Sequence, residues 1–146
     1  MGDASHLTLL RRGVKHWNDW RQSHPAVVVN LNGVDLSGLD LTQANLRSVR
    51  LCGSRLIETD LSGANLTQAD LTGANLNDAV LAGAVLYSAV LHQSSFRGAF
   101  LRWADLSRAL ATEANFVEAD LRSTHLARTN FEGANLTRAK VYGTSA

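Results

Sequence analysis

The sequence predicts an all-β solenoid behind an N-terminal helical segment, on three observations that share one register of five. Stepping by five from Leu31 to Val141, the residue is Leu or Phe at 21 of 23 positions, the exceptions being Ala111 and Val141. Two residues before these, from Ala44 to Ala139, the twenty positions hold fourteen Ala, three Thr, two Ser and one Val. All nine glycines after Gly13 fall two residues after the apolar position. Neither regular element satisfies such a period. Five residues advance about 500° on a helix and scatter the Leu set around the cylinder, and an odd period on a flat strand sends successive Leu to opposite faces. The chain must turn once per unit with its Leu always inward, which makes a coil stacked on itself.

The first thirty residues follow a different rule. Leu7, Leu10, Val14 and Trp17 recur at helical spacing, with Arg11, Arg12, Lys15 and Asp19 between them, so one amphipathic helix is expected with Ser5 as its N-cap. Pro25 and the β-branched run Val27 to Val29 mark the passage from helix to coil. The expected division is a helical cap over 1–26, coils over 27–143 and a tail over 144–146. A solenoid end exposes strand edges and core, which is what a cap covers.

Within a unit such as Ala64-Asn65-Leu66, alternation turns Ala64 and Leu66 inward and Asn65 outward. The next two residues supply the corner, where Gly accepts backbone angles that side chains resist. The expected axial core includes Leu36, Leu41, Leu46, Leu61, Leu66, Leu71, Leu76, Leu81, Leu86, Phe96, Phe116 and Phe131. Ala111 breaks the Leu ladder, so either a local void or an inward turn of Leu110 is expected there.

The runs Ala64-Asn65-Leu66-Thr67-Gln68, Ala69-Asp70-Leu71-Thr72-Gly73 and Ala74-Asn75-Leu76-Asn77-Asp78 resemble the A(D/N)LXX unit of pentapeptide repeat proteins. The resemblance covers roughly residues 27 to 143. It implies a right-handed quadrilateral β-helix in which four units complete a square coil, nearly six coils in all, on the order of 28 Å tall at the ~4.8 Å strand spacing. The string from Leu10 to Arg21 is also similar to the leader of many cyanobacterial members. No second cap is visible after Val141; that end is open, covered only by Tyr142 and the last turn, or paired with another subunit.

Composition limits the function classes. A 146-residue chain of 15.8 kDa with 45% hydrophobic and 18% charged residues is one folded domain. Fourteen Lys and Arg against thirteen Asp and Glu leave a net charge of +1, too little for an electrostatically driven nucleic-acid binder. Lone Cys52 cannot close an intrachain disulfide. The longest apolar stretch, Ala79 to Leu91, is shorter than the ~20 residues of a spanning helix, so no membrane role is expected. No basic segment followed by an apolar run opens the chain, which points to the cytoplasm.

No nucleotide-binding, metalloprotease or paired-cysteine signature occurs, and a filled convex rod offers no pocket for a nucleophile with its base. Neither an enzyme nor a cofactor is expected. His6, His16, His24, His92 and His125 lack ligand-like spacing and read as surface residues. Two surface features remain. The outward position before the central Leu is usually Asp or Asn, but Val80, Val85, Val90, Phe100 and Leu110 interrupt this; with Tyr87 and Trp103 they either form an apolar surface for a protein partner wrapping several sides, or are strand-favouring residues tolerated there and split by the square's corners. Arg102 with Arg122, and Arg108 with Arg128, stack twenty residues apart as a second candidate site for an acidic partner or phosphate. The resemblance implies a non-catalytic, regulatory binding protein, since related cyanobacterial members act in regulation, including that of cell differentiation. Some members mimic DNA before gyrase, but that needs a dense negative surface this chain lacks.

Overall fold

The computed structural model describes residues 1–145. Two helices precede a continuous run of turns and single-residue bridges. Parallel bridges link each outward position to the one twenty residues on, from Asn30↔Arg50 to His125↔Ser145. Each level carries three kinds of bond. The Leu31 N–H donates to the Arg50 carbonyl at 2.8 Å, the Gly33 N–H to the Cys52 carbonyl at 2.9 Å, and the Arg50 N–H to the Val29 carbonyl at 3.0 Å. Repeated every five residues, this ladder satisfies the backbone on four sides at once.

Every corner has one geometry. From Leu31 to Leu136, the N–H of the residue three after the central apolar one returns to its carbonyl, as Ala64 does to Leu61 at 2.9 Å. Positive φ falls on the residue before that donor at every corner: on nine glycines, and on fourteen other residues from Gln43 to Arg138. The preceding residue has no positive φ, so these are type II turns. The glycines therefore occupy the one place where they relieve strain, and fourteen units do without them.

The outward Asp and Asn have a structural role. Asn65 Oδ1 accepts the Thr67 N–H at 3.0 Å and Asp70 Oδ1 accepts the Thr72 N–H at 3.0 Å, closing an Asx turn that starts the corner. The same bond recurs from Asn30 to Asn135 wherever Asp or Asn starts a corner in this way.

The axis is filled by the apolar ladders. Each of the Leu residues from Leu36 to Leu86 named above is at most 1% exposed, as are Phe96 and Phe116. Phe131 is only partly buried, because no described coil lies beyond its own. Leu110 does not turn inward beside Ala111: it is 48% exposed while Ala111 is fully buried. Larger rings supply the missing volume instead. Phe96 and Phe116 stack at 4.9 Å, and Phe131, directly above Ala111, meets Phe116 edge-on at 5.6 Å.

The single helix expected at the N-terminus is two, α1 (Ala4–Arg11) and α2 (Val14–Ser23). Gly13, at φ 108° and ψ 155°, takes the chain out of the helix between them. The N-cap of α1 is Asp3 rather than Ser5: Asp3 Oδ1 accepts the Ser5 N–H at 2.8 Å, leaving Ser5 inside the first turn. Leu10 and Trp17 are buried against the first coil. His6 is also buried rather than surface-exposed; its Nδ1 accepts the Asn30 N–H at 3.3 Å and its ring meets Trp20.

Candidate functional site

The twenty-residue register sorts outward residues onto four sides, here called the Asn30, Asp35, Asp40 and Asn45 sides after their first members. Val80 and Phe100 bridge on the Asp40 side, Val90 and Leu110 on the Asn30 side. Val85 stands alone on the Asn45 side, between Asn65 and Asp105. Ten residues separate Phe100 from Leu110, half a coil, so these two occupy opposite sides of the square. The seven candidate apolar residues thus form two clusters with Val85 between them. One joins Val80, Phe100 and the corner residue Trp103; the other joins Val90, Leu110 and the corner residue Tyr87.

The Phe100 cluster is the more exposed. Phe100 is 51% and Trp103 59% exposed, against 38% for Tyr87 and half-burial for Val80, Val85 and Val90. Trp103 also holds φ at 60°, the aromatic member of a corner set otherwise made of Gly and polar residues. Arg102 lies over its ring, with the guanidinium carbon 5.0 Å from the centroid.

The two arginine pairs differ. Arg122 grips Asp120: its Nε donates to Oδ1 at 2.7 Å, and a second ion-paired contact joins the other nitrogen and oxygen. It also donates to the Tyr142 hydroxyl at 2.9 Å and lies over that ring. Hydrogen bonds from Arg122, assisted by its charge and that of Arg102, hold the Asp120 carboxyl below the usual carboxylate range. Repulsion between Arg102 and Arg122 is therefore offset by a carboxylate within the same side. Arg108 and Arg128 are exposed and form no ion pair among the described residues. Glu118 binds Arg138 at 2.8 Å and Arg97 at 3.8 Å on another corner.

Nothing among the described residues suggests catalysis. No pocket and no cluster of metal-ligating side chains is found there. Burial pushes the Cys52 thiol up, away from the thiolate that a nucleophile requires. No helix is long and apolar enough to cross a membrane.

Eight copies of a pentapeptide repeat model match residues 30–68, 64–102, 74–110 and 114–145. The chain belongs to the pentapeptide repeat family. HetL, a pentapeptide repeat protein involved in heterocyst differentiation regulation from the cyanobacterium Nostoc sp. strain PCC 7120, is 31% identical over 79% of this chain and 67% of its own, with a TM-score of 0.44. Rfr23, a pentapeptide repeat protein from the cyanobacterium Cyanothece 51142, is 24% identical over 77% of this chain and 84% of its own, with a TM-score of 0.55. Full-length QnrB1, a plasmid-mediated fluoroquinolone resistance protein, is 19% identical over 77% of this chain and 70% of its own, with a TM-score of 0.34. These solved pentapeptide repeat proteins are right-handed β-helices. No curated protein matches the sequence.

The sequence already spreads these residues over several sides divided by corners; what it leaves unsaid is which of them stand on opposite sides. Positions ten apart in a twenty-residue coil face away from each other.

Proposed function

We propose that this pentapeptide repeat protein is a non-catalytic, cytoplasmic binding scaffold, a rod of nearly six coils capped by α1 and α2, that presents its Asp40 side to a protein partner. One observation carries the reading: at Phe100 and Val80 an apolar residue stands where thirteen units place the Asp or Asn of an Asx turn, and Phe100 is half exposed there. Val80, Val85, Val90, Phe100 and Leu110 have no side-chain oxygen for the N–H two residues on, and a hydrogen bond of this kind contributes about 1 kcal/mol. Phe100 and Trp103 then place large apolar area in water beside that loss. A regulatory role accords with HetL, the 31% identical relative involved in differentiation regulation.

The charge balance disfavours the DNA-mimic reading, and the carboxylate between Arg102 and Arg122 weakens the case for a phosphate site there. The test is affinity capture from native lysate with wild-type and Phe100→Glu baits of matched circular dichroism. A protein held by the first and lost by the second supports the scaffold. Equal capture by both, or nucleic acid in both eluates, sinks it.

A further inference from the structure

The Asp40 side reads, from one end of the rod to the other, Asp40, Asp60, Val80, Phe100, Asp120, Lys140, each bridged to the next. Two acids stand at one end, Lys140 at the other behind the Arg122-bound Asp120, and apolar residues in the middle. Asp40 and Lys140 are exposed, and Asp40, Asp60 and Lys140 have no ion-pair partner among the described residues. Set against its own reverse, the column pairs Asp40 with Lys140 and Val80 with Phe100, and brings Asp60 to an Asp120 already bound by Arg122.

We infer that this side pairs with a second copy of the chain, antiparallel, about a two-fold axis that crosses the rod between the levels of Val80 and Phe100. The inference rests on the scaffold reading and names its partner. Reversing the column sets Phe100 of each copy against Val80 of the other, and Lys140 of each against Asp40 of the other. Asp60 of each then faces Asp120 of the other, whose buried carboxylate is already neutralised by Arg122 on the same level. Each contact occurs twice, as an isologous interface requires.

The corner agrees with the side. A two-fold axis lying in the contact plane brings the corner beyond the Asp40 side against itself, so Trp103 faces Ala82 and Gly83 of the other copy. A side chain at Gly83 would meet nothing within 4 Å, which leaves open space for the indole. The helices also leave the Asp40 column itself free. Asp3 bonds to Asn30, Arg11 to the Asp35 carbonyl, and Trp17 and Asn18 to Asn45; on the Asp40 side Asn18 bonds only the Gln43 carbonyl, at the first corner, below the levels of Val80 and Phe100. One side of a rod this narrow gives a small interface, of the weak class below about 1,200 Å² in total.

Sedimentation velocity over a concentration series tests the pairing. The wild type is expected to pass from monomer to dimer. Phe100→Glu is expected to remain monomeric, while Leu110→Glu on the opposite side leaves the dimer intact. Asp40→Lys and Lys140→Glu each weaken it several-fold, and the double variant Asp40→Lys/Lys140→Glu restores it. A wild type that stays monomeric throughout, a dimer that survives Phe100→Glu, or a double variant no better than either single one overturns the inference. A monomeric wild type that still captures another protein in a Phe100-dependent way overturns self-pairing and leaves the scaffold reading standing.

Discussion

The side chain of Asn18 occupies the place of a missing coil beside Asn45: its Oδ1 accepts the Asn45 N–H at 2.8 Å and its Nδ2 donates to the Gln43 carbonyl at 3.1 Å. Around it, Trp17 Nε1 donates to the Asn45 carbonyl at 2.9 Å and Arg21 to the Arg47 carbonyl at 2.8 Å. The helices thus satisfy a strand edge by side chains, where the rest of the rod uses backbone. Asn18→Ala is expected to lower stability by about 2 kcal/mol, roughly one per bond lost. Lys15→Ala, at an exposed ion pair, should change it by less than about 0.5 kcal/mol. Equal denaturation midpoints for the two variants would contradict the plug.

Positive φ at each corner gives substitutions of opposite sign. Gly73, at φ 65°, has nothing within 4 Å of where a side chain would begin, so Gly73→Ala isolates the backbone term and is expected to cost about 1 kcal/mol. Gln68, at φ 58°, bears the same strain, and Gln68→Gly should be neutral or stabilising by up to about 1 kcal/mol. Chemical denaturation of the pair checks both signs.

Ala111 shows that restoring the repeat consensus is not always favourable. The rings of Phe116 and Phe131 occupy the level where a Leu would stand. Ala111→Leu is expected to overpack the axis and destabilise by about 1 to 3 kcal/mol. A more stable variant would reveal unfilled space.

Val85 is the converse case. Val85→Asn returns the acceptor for the Tyr87 N–H, as Asn65 does for Thr67 one level below. The expected gain is about 0.5 to 1.5 kcal/mol, a rise of a few degrees in Tm for a chain of this size. No rise would mean that the strand preference of Val compensates for the lost bond.

Asp120 sets an acid dependence. Its carboxyl titrates below the ordinary value when folded, so the unfolded chain takes up its proton first as pH falls. The stability it contributes is complete above about 3.9, the unfolded value, and is lost as pH drops through the lower folded one. Asp120→Asn keeps an Oδ1 for the Arg122 N–H and removes the charge. That variant should lose stability near neutrality and show a flatter decline as pH falls below about 4. An unchanged acid limb would assign the decline to other carboxylates, such as Asp35 and Asp70.

The repeat phase made most of the rod legible, because Leu, Ala and Gly each answer one geometric need: axis, inner wall and corner. The helices were legible in kind but not in detail, since Gly13 reads as a tolerated residue until its ψ of 155° shows the chain leaving the helix. Asp3 and Ser5 are both residue types that suit an N-cap, so type alone does not choose between them. His6 was misread because burial depended on how α1 sits on Asn30, a relationship between segments with no local signature. The rings that meet beside Ala111, Phe131 above it and Phe116 on the neighbouring ladder, are likewise a matter of three-dimensional volume, invisible to a one-dimensional count.

The square register also constrains how such a chain can change length. Removing or adding five residues leaves every corner and every axial Leu intact, yet rotates all that follows by a quarter turn. Phe100 would then face a different direction from Asp40. Twenty residues can be gained or lost without altering any bearing, so length variants of this rod divide into those that preserve its compass and those that reset it.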